Sequence, residues 1–318
     1  MYSNNAIEVV EHGITPAQTN PLSSALIDQF KGFIDAKPRT VQSYIGNIKR
    51  FAEYLHHEGI QNPTRQDVLN YRSWLKENFK ATTVQSYIVA IRLFFQWTEQ
   101  AGIYPDIAKR VKGAAISKEH KKDYLTSDQM EQILEKIDRS TTAGKRDYAI
   151  LALMVTGGLR NIEICRANID DLRALGNSTV LYIQGKGKEE KADYIKVTPV
   201  VETALRNYIQ TKEELKEGQA LFTSLSNNSA GARLSTRSIS GIIKRRLINA
   251  GFNSDRLTAH SLRHTAVTLS LIGGNSLQDV QQFARHSNIS TTQIYAHNLD
   301  RAKNQCEETI SSSIFKQS

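Results

Sequence analysis

Apolar residues in the first hundred positions recur at helical spacing. Two stretches place them at steps of three and four residues, the period of one helix face. They are Val41, Tyr44, Ile45, Ile48, Phe51 and Leu55 in the first stretch, and Val84, Tyr87, Ile88, Ile91, Phe94 and Phe95 in the second. Between them, Thr64-Arg65-Gln66-Asp67 can cap a third helix that runs to about Asn78. The pattern predicts a helical bundle over residues 21–108, after a polar leader at 1–20.

A different pattern begins near Asp123. Thr126-Ser127-Asp128-Gln129 has the form of a capping box, which predicts a helix to about Asp138. Residues 146–155 are strongly apolar and predict a core helix. After Pro199 the chain is mostly helical in pattern, so this second unit is also rich in α-helix.

The sequence predicts one β element between these helices. Apolar and polar residues alternate at 179–184 and again at 194–197, on either side of the turn sequence Gly185-Lys186-Gly187-Lys188. This arrangement predicts a β-hairpin with a basic turn. The expected fold is therefore mainly α with a small β-hairpin: an N-terminal helical bundle, then a C-terminal mixed α+β domain over residues 123–318.

The charge of the chain favours a polyanionic partner. The formal net charge is +9 at pH 7, and a basic balance points toward nucleic acid. Residues 21–122 hold 16 Lys and Arg against 9 Asp and Glu, whereas residues 123–318 hold 25 against 21. Six basic residues fall within 109–122, which predicts an exposed linker that follows a phosphate backbone or is a solvated charge run.

The two helical stretches are also alike in sequence. Thr40-Val41-Gln42-Ser43-Tyr44-Ile45 is repeated as Thr83-Val84-Gln85-Ser86-Tyr87-Ile88. Two interpretations follow. The repeat is a duplicated packing unit, or it is a pair of helices whose polar faces both lie against DNA.

Other features restrict the class of protein. Cys165 and Cys306 are too few for a disulfide framework, which favours a reducing compartment. No apolar run approaches the roughly 18 residues of a membrane span, and the first residues lack the features of a signal peptide. We therefore expect a cytoplasmic protein with no membrane partner.

Three motifs carry residues that suit phosphate chemistry. In the first, Gly158-Leu159-Arg160-Asn161-Ile162-Glu163, the guanidinium of Arg160 can bind a phosphate while Glu163 lies at helical spacing from it. A structural Arg–Glu pair is the alternative. In the second, His260 and Arg263 share one helical face and can point at one anion. His260 and His264 at i and i+4 also suit zinc, but no third ligand is evident.

The third motif is Arg285-His286-Ser287-Asn288-Ile289-Ser290-Thr291-Thr292-Gln293-Ile294-Tyr295. His286 precedes a polar turn, and Ser290 is a candidate N-cap for a short helix that carries Tyr295. Taken singly, His286 and Tyr295 are better explained by core packing or by a hydrogen bond.

Taken together, the motifs resemble the tyrosine recombinase (phage integrase) family, in its Xer-like form without a separate arm-binding domain. The order Gly-Leu-Arg-x-x-Glu, a Gly-Lys-Gly hairpin, His-x-Leu-Arg and His-Ser with a later Tyr is similar to that family over about residues 21–300. The resemblance implies a core-binding, DNA-binding domain at 21–108 and a catalytic domain at 123–318. It also implies a site-specific recombinase that forms a 3′-phosphotyrosine intermediate.

The resemblance also implies a role for each residue. Arg160 and Arg263 would grip the scissile phosphate, and Glu163 would support them. Lys186 would be the general acid, His260 a general acid/base, His286 a transition-state hydrogen-bond donor and Tyr295 the nucleophile. Lys188 and Lys191 lie close to Lys186, so the choice of lysine stays open. Arg285 stands where the family usually has Gly, which puts the shape of that loop in question.

No metal or cofactor is expected. Attack on a phosphodiester builds negative charge on its oxygens, and two Arg and two His can stabilise this charge in place of a metal ion. The phosphotyrosine bond conserves the energy for rejoining, and the sequence contains no Walker-type phosphate loop, so no ATP is expected.

The resemblance implies a homo-tetramer on two double-stranded DNA sites. Ile310, Ile314 and Phe315 form a small apolar stripe after Tyr295, which suits docking onto a neighbouring subunit or packing in cis. Two alternative functions are a type IB topoisomerase-like nicking-closing enzyme and a non-catalytic DNA-binding protein. Chromosome-dimer or plasmid resolution and integration of a mobile element both fit this sequence.

Overall fold

The computed structural model describes residues 22–115, 123–185, 187–303 and 305–314. The chain divides into two compact units, residues 1–118 and 119–318. Each unit has its own hydrophobic core. Within the described residues, no helix is both long and apolar enough to cross a bilayer.

The described part of the first unit is a helical bundle, as the sequence predicts. Its helices are α1 (Ser24–Phe33), α2 (Pro38–His57), α3 (Arg65–Asn78) and α4 (Ala81–Gln100). The predicted third helix begins at its cap, because the amide and hydroxyl of Thr64 both donate to the Asp67 carboxylate at 2.7 Å. These bonds satisfy groups that the first helical turn leaves without partners.

The repeated sequence lies on α2 and α4, which pack against each other. The equivalent residues Phe51 and Phe94 are both fully buried in the bundle core. The Asn47 side chain on α2 donates to the backbone and hydroxyl oxygens of Ser86 on α4, at 3.1 and 3.2 Å. A duplicated packing unit therefore explains the shared apolar positions, and contact of the polar faces with DNA stays a prediction.

The described part of the predicted basic linker is bonded to the bundle. Arg65 donates to the carbonyl oxygen of Lys109 at 2.5 Å, and Arg72 donates to that of Lys112 at 3.2 Å. Bonds to backbone oxygens fix the path of the chain here without using the lysine side chains. The other predicted linker residues, 116–122, lie outside the described residues.

The described part of the second unit is a small antiparallel sheet surrounded by helices. The order of its first elements is α5 (Ser127–Glu135), α6 (Thr142–Gly157), α7 (Asn161–Arg166), β1 (Leu172–Leu175), β2 (Ser178–Ile183) and β3 (Asp193–Val197). They are followed by α8 (Pro199–Ile209), α9 (Thr236–Asn249), α10 (Ala259–Ile272), α11 (Leu277–Ala284), α12 (Ser290–Lys303) and α13 (Cys306–Ile314). The expected class, mainly α with a small sheet, is confirmed.

The sheet contains the predicted hairpin and one further strand. Strands β2 and β3 pair as predicted, with Leu181 opposite Ile195. Strand β1 was not predicted, because most of its short length is exposed and it lacks an alternating pattern of burial. The connection from β2 to β3 spans residues 184–192, one position earlier than the predicted 185–193.

Helix α6 lies at the centre of the second core and ends directly before the first motif, which begins at Gly158. It packs against α8 and α10, and it is longer at both ends than the predicted core helix. A smaller apolar cluster lies beside the main core, formed by Val267, Val280, Ala284 and Tyr295. The helices that carry the second and third motifs therefore pack together around Tyr295.

Candidate active site

A left-handed turn at the end of α6 positions Arg160. Helix α6 ends at Gly157, and Gly158 adopts φ 56° and ψ 35°, a conformation that glycine tolerates and most residues avoid. A Cβ atom at Gly158 would lie 3.1 Å from the ring of Phe283, so the position is also tight. The chain reverses there and places Arg160 at the N-terminus of α7.

A buried carboxylate holds Arg160. Glu163 is fully buried, and its Oε1 accepts from Nη1 of Arg160 at 2.9 Å. Its Oε2 accepts from the Arg160 backbone amide, also at 2.9 Å. The Arg160 side chain remains 29% exposed. Glu163 thus fixes both the backbone and the guanidinium of an arginine that solvent can still reach.

Arg263 lies on α10 and is almost completely buried, with 2% exposure. Its guanidinium donates to the carbonyl oxygens of Gly158 and Ala284. Burial lowers the pKa of Arg263 to about 9, and the charge of Arg160 acts in the same direction. The side chain is therefore still positively charged at pH 7, in a place where water screens its charge poorly.

Three aromatic rings form a row from the surface into the small apolar cluster. His260 is exposed on the first turn of α10, and its ring centroid lies 4.7 Å from that of His264. The His264 ring lies 5.1 Å from that of Tyr295. The sequence singled out His264 only as a zinc ligand, and the described residues contain no group of three His, Cys, Asp or Glu suited to a metal. Here the His264 ring contacts the rings of both His260 and Tyr295.

Tyr295 is buried on α12, with 6% exposure. Burial raises the pKa of Tyr295 to about 12, and the charges of Arg263 and Arg160 offset only part of this effect. The helix that carries it spans Ser290–Lys303 and is not the short helix that the sequence predicted. Ser290 is its first residue and not its cap, since the Asn288 side chain accepts from the Ser290 amide at 2.8 Å.

His286 stacks near Tyr295 and is held by a threonine. The two ring centroids are 6.3 Å apart, and Nδ1 of His286 lies 3.0 Å from Oγ1 of Thr292. Burial lowers the pKa of His286 to about 4, and the charge of Arg263 contributes. The ring is therefore neutral at pH 7. If the Thr292 hydroxyl donates to Nδ1, the ring proton lies on Nε2, which becomes a hydrogen-bond donor.

The fully buried Thr292 was not among the sequence candidates. We expect Thr292→Val to slow cleavage of a DNA site about 10-fold, because one hydrogen bond orients the His286 ring. Thr292→Ser retains the hydroxyl and should stay near the wild-type rate. Single-turnover cleavage rates of the three proteins are the measurement, and equal rates for Val and Ser would contradict this role.

The structure describes the residues on either side of the predicted general acid, Lys186. Lys186 lies outside the described residues. Lys191 donates to the Asp171 carboxylate at 2.5 Å, so it has a structural partner. Lys188 is exposed in the same connection. Nη1 of Arg166 on α7 donates to the Gly185 carbonyl at 3.2 Å, which ties the start of this connection to the helix that follows Arg160.

The structure also answers the question about the loop at Arg285. This residue adopts φ 54° and ψ 45°, the left-handed conformation that favours glycine. The loop therefore keeps the shape that a glycine would allow. The Arg285 side chain points back to the α6–α7 turn and forms an ion pair with Glu163 at 3.2 Å. No role for this side chain was predicted from the sequence.

Both units of the chain match known proteins. Residues 123–302 match the phage integrase family, and residues 27–102 match the phage integrase N-terminal SAM-like domain. Tyrosine recombinase XerC of Corynebacterium glutamicum is 30% identical over 300 residues, covering 90% of this chain and 91% of that protein. XerC of Chlamydia caviae is 29% identical over 310 residues, covering 89% and 96%.

Solved structures share the fold. The XerH site-specific recombinase, in a post-cleavage complex with a palindromic difH substrate, superposes with a TM-score of 0.72 at 21% identity, covering 90% of this chain and 85% of that one. A lambda integrase (75–356) dimer bound to a COC′ core site gives 0.64 at 15%, covering 83% and 95%. The chain therefore belongs to the phage integrase family and is a tyrosine recombinase, an enzyme that breaks and rejoins DNA strands at specific sites.

Proposed function

We propose that the chain exchanges strands between two specific double-stranded DNA sites through a covalent bond between Tyr295 and a DNA phosphate. One observation carries this proposal. The helix α10 of the second motif joins the other two: its Arg263 donates to the Gly158 carbonyl oxygen of the first motif, and its His264 ring lies 5.1 Å from the Tyr295 ring of the third. Residues from three separate motifs therefore meet at one place, as a phosphate site requires.

The two arginines would bind the scissile phosphate. Both are anchored, Arg160 by Glu163 and Arg263 by two carbonyl oxygens, so little reorganisation is needed when charge develops on the phosphate. His286, neutral and oriented by Thr292, would donate from Nε2 to the same group. Charge stabilisation of this kind needs no metal ion at the phosphate.

Cleavage would exchange one phosphate ester for another. The phenolic oxygen of Tyr295 attacks phosphorus and loses its proton to a base, the role proposed for His260. The bond from phosphorus to the 5′ oxygen breaks, and that oxygen takes a proton from the general acid, proposed to be Lys186. The product is a 3′-phosphotyrosine and a free 5′ hydroxyl. Attack by a 5′ hydroxyl of the partner strand reverses these steps and restores Tyr295.

Covalent capture tests the proposal and identifies the site. The full chain is incubated with sheared genomic DNA from the organism that encodes it, and the reaction is stopped with detergent. The protein-bound fragments are then sequenced. We expect one sequence motif to dominate, with free 5′ hydroxyl ends that accept a label from a polynucleotide kinase without prior phosphatase treatment. Ends that need phosphatase, or capture without sequence preference, would contradict the proposal.

The two alternative functions are distinguished by product. The family match and the XerC relatives favour recombination over both. A plasmid with two copies of the captured site should yield exchanged products. Relaxation without exchange would instead indicate the topoisomerase-like function, and binding without a covalent product the non-catalytic one.

Assembly is proposed to be a homo-tetramer that forms on DNA through the C-terminal tail. Helix α13 exposes Ile310 by 56% and Ile314 by 64%, which suits contact with another subunit. Phe315 lies outside the described residues. An open groove of about 690 Å³ in the second unit, with Leu134 and Phe283 in its lining, is a candidate acceptor for the tail of a second copy.

Ile310→Ser with Ile314→Ser should lower assembly on DNA and slow cleavage, without lowering the free energy of unfolding of the free chain, because both side chains are exposed. Val200→Ser is the matched control, since Val200 is 70% exposed elsewhere in the same unit. Native gel shifts and cleavage rates are the measurements. Unchanged assembly in the double variant would contradict docking by the tail.

A further inference from the structure

Arg285 is a third arginine at the α6–α7 turn. It ends α11 in the left-handed region, where a residue with a Cβ atom is strained. Within the described residues, Arg110 is the other non-glycine residue with positive φ. Such strain persists only where the surroundings hold the residue in place, so the contacts of its side chain are informative.

The guanidinium of Arg285 bridges the end of α6 and its own loop. Nη1 donates to the carbonyl oxygen of Phe283 at 2.8 Å, and Nη2 donates to that of Gly158 at 3.1 Å. Both nitrogens also lie 3.4 Å from the Gly157 oxygen. The side chain is only 13% exposed. Arg285 and Arg263 thus donate to the same Gly158 oxygen from two helices.

The same guanidinium shares a carboxylate with Arg160. Oε2 of Glu163 accepts from Nη2 of Arg285 at 3.2 Å and from the Arg160 amide at 2.9 Å, while Oε1 accepts from the Arg160 guanidinium. The backbone oxygen of Arg285 lies 3.5 Å from Nη2 of Arg160. Arg285 therefore restrains Arg160 in two ways: its side chain holds Glu163, which binds Arg160, and its backbone oxygen lies next to the Arg160 guanidinium.

The charges at this turn suit an anion. Arg160, Arg263 and Arg285 carry three positive charges, while the carboxylates of Glu163 and, more weakly, Asp193 act on Arg285 in the opposite sense. Burial lowers the pKa of Arg285, and the nearby charge of Arg160 lowers it further, whereas Glu163 opposes these effects. Such an excess of buried positive charge is relieved when a phosphate binds.

We propose that Arg285 is a positioning residue for DNA cleavage, which clamps Glu163 and the α6–α7 turn so that Arg160 meets the scissile phosphate in one orientation. This inference rests on the proposed role of Arg160. Arg285 is itself largely covered, so its effect passes through Glu163 and Arg160. A residue that acts in this way changes the rate of cleavage more than the affinity for DNA.

Arg285→Gly tests the role of the side chain independently of the loop conformation. Glycine is the residue that this backbone conformation prefers, so the loop should keep its shape while the clamp is lost. We expect single-turnover cleavage of the captured site to fall about 10- to 100-fold, as expected for a misplaced phosphate-binding group. DNA affinity should remain close to wild type, whereas thermal stability should fall with the lost contacts to Phe283, Gly158 and Glu163, so cleavage is compared per folded molecule. Arg285→Lys keeps the positive charge but not the forked contacts of the guanidinium. Its cleavage rate should lie between those of wild type and Arg285→Gly.

A pH profile separates positioning from packing. The charge of Arg285 helps to lower the pKa of His286. Without this charge His286 gains its proton at higher pH, so the cleavage rate of Arg285→Gly should begin to fall at a higher pH than that of wild type. Arg285→Lys keeps the charge and should keep the wild-type profile. Wild-type rates and an unchanged profile in Arg285→Gly would overturn the proposal. If Arg285→Gly is unstable, a wild-type rate and profile in Arg285→Lys would overturn it.

Tyr295→Phe is measured beside these variants. If Tyr295→Phe still forms a covalent complex, the proposed function fails. If Tyr295→Phe forms none and Arg285→Gly cleaves like wild type, only the role of Arg285 fails.

Discussion

Tyr295→Phe should abolish the covalent protein–DNA complex, with a loss of cleavage of at least about 10⁴-fold. The substitution removes only the attacking oxygen. The ring that packs with Val267, Val280 and Ala284 remains, so the free energy of unfolding should change by no more than about 1 kcal/mol. Binding to DNA should be retained, because phosphate contacts dominate affinity and the phenol is not a cation.

The measurement uses a duplex that carries the captured site and a nick close to the cleaved phosphate. Cleavage releases the short fragment that bears the free 5′ hydroxyl, so the strand cannot be rejoined and the covalent product accumulates. Tyr194→Phe is the control, because Tyr194 is 46% exposed on β3. We expect a denaturing gel to show the shifted band for wild type and Tyr194→Phe alone. A shifted band of normal intensity from Tyr295→Phe would mean that another side chain is the nucleophile.

Arg263→Ala should have the second largest effect, on both cleavage and stability. The buried guanidinium would no longer stabilise the phosphate, which should lower the cleavage rate about 10³-fold. It would also remove this donor from the Ala284 carbonyl oxygen, whereas the Gly158 oxygen keeps Arg285 as a donor. Loss of the buried side chain together with that hydrogen bond should lower the free energy of unfolding by about 3 kcal/mol.

Arg146→Ala separates the two effects. Arg146 is 7% exposed and donates to Asp147 and to the Thr223 carbonyl oxygen, so its loss should also destabilise the protein. None of these groups is proposed to contact DNA. Denaturant unfolding and cleavage per folded molecule are the measurements. Equal rates per folded molecule in Arg146→Ala and Arg263→Ala would show that Arg263 serves packing alone.

Much of the fold follows from local pattern. The capping residues Thr64 and Thr126 mark the starts of α3 and α5, because cap chemistry depends on residues three positions apart. Strand β1 could not be predicted, since a short and mostly exposed strand has no alternation of its own. The length of α12 was also missed, because the polar turn before it suggested only a short helix around Tyr295.

The site was predictable one motif at a time. Arg160 with Glu163, and His260 with Arg263, lie at helical spacings that the sequence shows directly. Arg285 contacts Glu163 across 122 positions, so no local spacing could indicate the pair. A visible sign was present, however: an arginine stood where the family usually has glycine. The structure shows a glycine-like backbone there, with a side chain that bonds to the α6–α7 turn.

The burial of Tyr295 bears on how the reaction starts. With its pKa raised to about 12, the phenol is neutral at pH 7, and its ring lies within an apolar cluster. Attack on phosphorus requires that the hydroxyl reach the phosphate and lose its proton. The tail that follows Tyr295 is proposed to dock onto a neighbouring subunit, and such docking would couple exposure of the Tyr295 hydroxyl to assembly.

The central claim is the bond between Tyr295 and DNA. It is tested most directly by trapping the complex on the nicked site, digesting the protein and the DNA, and sequencing the nucleotide-bearing peptide by mass spectrometry. The account predicts that the peptide contains Tyr295, joined through its oxygen to a 3′ phosphate. A nucleotide on any other residue, or a linkage to a 5′ phosphate, would contradict it.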